Sequence, residues 1–142
     1  MRQIFINLPV SNLKKSMAFF TQLGFKFDPR FTDENAACLI VEENIHVMLL
    51  VESYFRSFSY KETCGTNAAE VLLAIDAPNR AKVDELVAKA VSAGGATYNE
   101  PKDHGFMYQH RFRDLDGHTW EVAYMDMAAF QAMSAQAGAP AQ

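Results

Sequence analysis

Residues 113–126, RDLDGHTWEVAYMD, close the second of two passages that run through the same order of elements, and this repetition decides the fold. Asp116-Gly117 carries hairpin-turn chemistry, and His118 to Met125 reads as a strand. Trp120 and Val122 take one face of that strand and Glu121, at its centre, takes the other. The passage opens at EVLLAID, residues 70–76, where Val71, Leu73 and Ile75 alternate with Glu70, Leu72 and Ala74. A helix follows, capped by Asn79, with an apolar stripe of Val83, Leu86, Val87, Ala90 and Val91, and Gly94-Gly95 stop it. Strands near Thr97 to Glu100 and Phe106 to Arg113 complete the passage.

The first passage has the same order. IFINLPV, residues 4–10, alternates as a strand. Ser11 caps a helix in which Leu13, Met17, Phe20 and Leu23 recur at helical spacing, and Gly24 sits where a left-handed residue is needed. KFDPRF (26–31), NAACLIVEE (35–43) and IHVMLLVES (45–53) read as three further strands. A period this long is not that of a solenoid. It predicts an α+β domain of two strand-helix-three-strand modules, the first at about 1–60 and the second at about 68–126. The tail, 127–142, extends as helix through Phe130 and Met133 and frays at its end.

Composition excludes several classes. A formal charge of −4, without a basic stripe, argues against nucleic acid, whose phosphates need a row of cations. No apolar run is long enough to span a bilayer, and no secretory leader pattern opens the chain, so no membrane association and a cytoplasmic location are the default expectations. Cys38 and Cys64 lack metal-ligand spacing; Cys38 reads as a buried thiol and Cys64 as a loop residue.

Four segments together, NLPVSNLKKSMAFFTQLGF (7–25), IHVMLLVES (45–53), EVLLAIDAPNRAKVDELVAKAVSAGG (70–95) and GFMYQHRFRDLDGHTWEV (105–122), resemble the vicinal oxygen chelate superfamily. That superfamily includes glyoxalases, extradiol dioxygenases and bleomycin-resistance proteins. The D-x-D-G-H-x-W-E ending is the most specific part of the match. The resemblance implies paired βαβββ modules that form a curved, partly closed mixed sheet around a cleft, and it implies a homodimer.

It also implies a divalent metal, Mg, Mn, Ni, Fe or Zn, held by one inward residue on the first and one on the last strand of each module. Carried over by position, module two supplies Glu70 and Glu121, as ligands and as catalytic carboxylates. Module one supplies Phe5 and Met48, which cannot replace a hard or borderline donor. Glu70 and Glu121 are expected to point into one hollow, where two anions require a partner: a metal, a basic substrate, or Asn7, His46 and His110 nearby. His46 shares parity with Met48 but lies about 7 Å along the strand from it.

Phe5, Asn7, His46, Met48, Leu72, Tyr108 and His110 are therefore the candidate ligand-lining residues. The aromatic run 54–60 is read as a flap over the cleft or part of a dimer surface. Two functions follow. One is a metal-assisted lyase or isomerase, less readily a dioxygenase, acting on a small molecule with adjacent oxygens. The other is a metal-independent binding or sequestering protein of the bleomycin-resistance type, with an apolar wall of Phe5, Met48, Leu50 and Leu72 facing carboxylates that attract a cation.

Overall fold

The computed structural model describes residues 1–136. In chain order the elements are β1 (Ile4–Val10), α1 (Leu13–Gln22), β2 (Lys26–Asp28), a 3-10 turn (Pro29–Phe31), β3 (Ala36–Glu42), β4 (Ile45–Val51), α2 (Glu52–Ser59), β5 (Leu72–Asp76), α3 (Arg80–Ser92), β6 (Lys102–Asp103), β7 (Met107–Arg113), β8 (Thr119–Met125) and α4 (Met127–Gln136). They form two four-stranded sheets of the same topology, β1-β4-β3-β2 and β5-β8-β7-β6. In each, the strand before the helix runs parallel to the last strand of its module, and the other pairings are antiparallel. The repeat expected from the sequence is thus the architecture. The expected fraying falls on residues 137–142, outside the described residues.

One core serves both modules. Phe19 and Phe20 of α1 reach across to Phe112 and Trp120 of the second sheet, with Phe20 and Trp120 ring centroids 5.3 Å apart. All four rings are buried, as are Val83, Val87 and Ala90 on α3. Burial of apolar surface in this shared layer, at roughly 25 cal/mol per Å², helps join the modules.

Four local readings need correction. Asn12, not Ser11, caps α1: its Oδ1 accepts from the Lys15 N–H at 3.1 Å, while the Ser11 N–H donates to Asp116 Oδ1 at 2.8 Å. Strand β2 stops at Asp28, because Pro29 has no N–H for the ladder and starts a turn capped by the Asp28 carboxylate. Residues 97–100 make no strand. A single bridge, Ala96 to Arg113, is all that pairs there. The Thr97 hydroxyl donates to the Arg111 carbonyl, the Asn99 carbonyl accepts from His110, and Tyr98 lies under the Arg113 guanidinium at 4.2 Å. Last, the strand read as running to Ser53 ends at Val51, and helix α2 starts at Glu52 and takes in most of the aromatic run, with Tyr54 and Phe58 meeting edge to face one turn apart and Tyr60 ending it in a left-handed conformation at φ 58°.

The DLDGH segment is a clasp between modules. Asp114 is buried and accepts the Asp116 and His118 N–H groups and the Trp120 indole N–H at 3.0–3.1 Å. Gly117 takes φ +82°, closing the turn. Beyond it, His118 Nε2 donates to the Pro9 carbonyl at 2.7 Å, and Asp116 holds both the Ser11 N–H and the Ser16 hydroxyl. A carbonyl can only accept, so the His118 proton must sit on Nε2.

Candidate functional site

Strand register defines the inward positions. Met48 on β4 lies opposite Asn7, and Phe5 lies two residues before Asn7 on β1. Glu121 on β8 lies opposite Ala74, and two residues before Ala74 on β5 is Leu72. Helix caps give the same equivalence, since Phe5 and Leu72 each precede their N-cap, Asn12 and Asn79, by seven residues. The four pseudo-equivalent places are therefore Phe5, Met48, Leu72 and Glu121.

Glu70 falls outside that set. It precedes β5, is exposed, and stands four residues from Ala74, the partner of Glu121. That offset amounts to about 13 Å along a strand. The two carboxylates expected to confront each other in one hollow are placed apart. Glu121 instead pairs with Arg111, directly opposite on β7, with Nε to Oε1 at 3.0 Å. Both side chains are partly exposed, 30% for Arg111 and 22% for Glu121, so the pair is accessible from the inward face.

Tyr108 and His110 lie on the other face. His110 is opposite Val122, a core residue, and its Nε2 donates to the Asn99 carbonyl at 2.8 Å. Tyr108 donates its hydroxyl to Asp84 of α3 at 2.7 Å, and that carboxylate pushes the phenol up to about 12. The strand parity that puts Arg111 beside Glu121 turns both of these toward the helix layer.

On the first module, His46 is buried beneath Phe5, the rings stacking at 4.8 Å and 14°. Its Nδ1 lies 3.7 Å from the Cys38 sulfur, and burial pushes the Cys38 thiol up. Phe5 itself is 46% exposed. Phe5 and His46 border a hollow of about 210 Å³, beside which Asp28 holds Arg30 through two hydrogen bonds. The guanidinium keeps the Asp28 carboxyl below its usual range.

A second hollow, of about 270 Å³, lies at the module junction between β1, α2, the connector 60–71 and the DGH turn. Here Asn7 and Glu70, two of the sequence-selected residues, come together with Phe55 and His118. Phe55 belongs to the aromatic run singled out from the sequence. His118 reads there only as part of a turn, and its spacing gives no sign of a reach to Pro9.

A divalent metal does not fit the donor set. Phenyl, thioether and isobutyl groups stand at three of the four equivalent places, and the fourth is neutralised by a guanidinium. Among the described residues no group of three or more His, Cys, Asp or Glu side chains is arranged to hold an ion.

The two sheets and the core they share define a duplicated α+β protein of two like modules. The chain belongs to the Glyoxalase/Bleomycin resistance protein/Dioxygenase superfamily, whose sequence profile matches residues 2–122. A hypothetical protein from S. aureus is 30% identical over 87% of this chain and 94% of its own, with a TM-score of 0.75. A glyoxalase/bleomycin resistance protein/dioxygenase family enzyme from Burkholderia phytofirmans matches in fold at 18% identity, covering 88% of this chain and 99% of its own at TM-score 0.75. A structure described as lactoylglutathione lyase from Agrobacterium tumefaciens matches in fold at 15% identity and TM-score 0.63, over 85% of this chain and 91% of its own. No curated protein matches by sequence.

Proposed function

We propose that this chain binds a small organic molecule without a metal ion, as a sequestering or carrier protein of the bleomycin-resistance kind. The observation that carries the reading is the Arg111–Glu121 pair, which satisfies the one carboxylate at the four equivalent places. Three of the places that would otherwise hold an ion are apolar, Phe5 and Leu72 being about half exposed, and at the junction hollow Pro9, Phe55 and Val71 offer surface to a ring or alkyl group. Asn7 and Glu70 at the junction hollow supply hydrogen-bonding and charge. Binding then comes from burial of the ligand's apolar part, and orientation from a few polar contacts at its end.

A metal-assisted lyase or isomerase is the second reading, favoured by Glu121 standing at a donor place. It requires Arg111 to release that carboxylate and a substrate that fills most of the ion's coordination shell. The two readings separate in a thermal-shift screen of small aromatic and alicyclic compounds, run before and after chelation. Metal-independent binding predicts the same hits and the same shifts in both conditions. Shifts or turnover that vanish on chelation and return with Mn or Ni would establish the second reading instead.

A further inference from the structure

We infer that the junction hollow takes a small amphipathic amine, a single apolar ring on a short arm ending in a protonated nitrogen. The inference rests on the metal-independent reading and adds to it the chemical class of the ligand, with Glu70 as a counter-ion. Size sets the first limit. A hollow of about 270 Å³ has room for a small molecule such as one ring on a short arm. Its apolar wall comes from Pro9 of β1, Phe55 of α2 and Val71 just before β5. Phe55 is half-buried, packed on its far side. A flat ring suits such a surface.

Charge sets the second limit. Glu62, Glu70 and Asp116 line the hollow against one lysine, Lys61. The Asp116 oxygens are taken by the Ser11 N–H and the Ser16 hydroxyl. Glu62 and Glu70 are exposed and, among the described residues, enter no ion pair, so their charge is available to a ligand. An ammonium brings three donors and no acceptor, which matches two carboxylates and the Asn7 amide oxygen. An anion would meet those carboxylates with only Lys61 in its favour. Because the acidic groups sit on an open rim, the attraction is modest and screened by salt.

The test is calorimetric titration of the full chain with phenethylamine, phenethyl alcohol and phenylacetate, which share a ring and an arm and differ in terminal charge. The amine should bind about threefold to tenfold tighter than the alcohol at low salt, with phenylacetate weakest. Added salt should shrink the amine's advantage. Glu70→Gln should narrow the gap between amine and alcohol, and Phe55→Ala should weaken amine and alcohol alike, both variants being checked for native circular dichroism. Equal binding of amine and alcohol, a preference for phenylacetate, a gap that survives Glu70→Gln, or no saturable binding of any probe would overturn the inference. Binding that disappears on chelation refutes the metal-independent reading as well, whereas equal binding by metal-free protein refutes the amine alone.

Discussion

Glu70 and Leu72 differ by one pleat of a strand, and that shift decides which chemistry the second module offers. Read along the sequence, Glu70 opens the apolar run EVLLAID and takes the place of a ligand. Pairing between β5 and β8 moves the equivalent place to Leu72, because the ladder begins there and Glu121 lies opposite Ala74. No alternation argument separates the two, since residues 70 and 72 share parity. Glu121 itself was legible as inward-facing, but its guanidinium partner was not: Arg111 is ten residues away in sequence and adjacent only through the hairpin register.

Tyr108 shows the same limit and yields a pH prediction. Its hydroxyl donates to the Asp84 carboxylate, so ionisation is driven up to about 12 from an ordinary value of 10. A raised value in the folded state means that this contact stabilises fully below pH 10 and is lost as pH rises through about 12. Spectrophotometric titration should show one tyrosine ionising late, and Tyr108→Phe should delete that step. If Tyr108→Phe leaves the late step in place, the assignment is wrong.

At the scale of elements, both helices that carry the core were readable from spacing, α3 also from its Asn79 cap, and their strands from alternation. Two pieces escaped that reading. Residues 97–100 lose their ladder to Thr97, Tyr98 and Asn99 contacts, and α2 takes a helical turn from an aromatic run that follows β4 without a break. Gly94-Gly95 was legible as a stop, yet the reason differs between the two glycines. Gly94 has φ +106°, whereas Gly95 is needed for space: a Cβ there would lie 2.5 Å from the Arg113 carbonyl oxygen and 2.9 Å from the Phe19 ring. Since the nearest atom is backbone in a paired segment, Gly95→Ala should cost about 1–3 kcal/mol. Chemical denaturation should show the loss at unchanged m-value; full stability in Gly95→Ala would contradict the close approach of α3 to β7.

Across the whole molecule, the D-x-D-G-H-x-W-E ending, which carried the resemblance, proves to be mostly structural. Asp114 ties the turn to Trp120, Asp116 and His118 tie it to module one, and only Glu121 reaches the inward face. The fold was therefore legible from a motif whose chemistry is that of a clasp. The candidate site was legible in part, because Phe5 and Met48 announce a departure from metal binding, while the junction hollow depends on how α2 and the connector settle over β1.

Metal-independent binding requires that the four equivalent places, Phe5, Met48, Leu72 and Glu121, hold no metal. Elemental analysis of protein purified without chelator or affinity-tag metal, followed by titration with Mn and Ni, tests it most directly. Metal-independent binding gives sub-stoichiometric metal and no saturable uptake of either ion. One equivalent of bound metal that disappears in Glu121→Ala would contradict it.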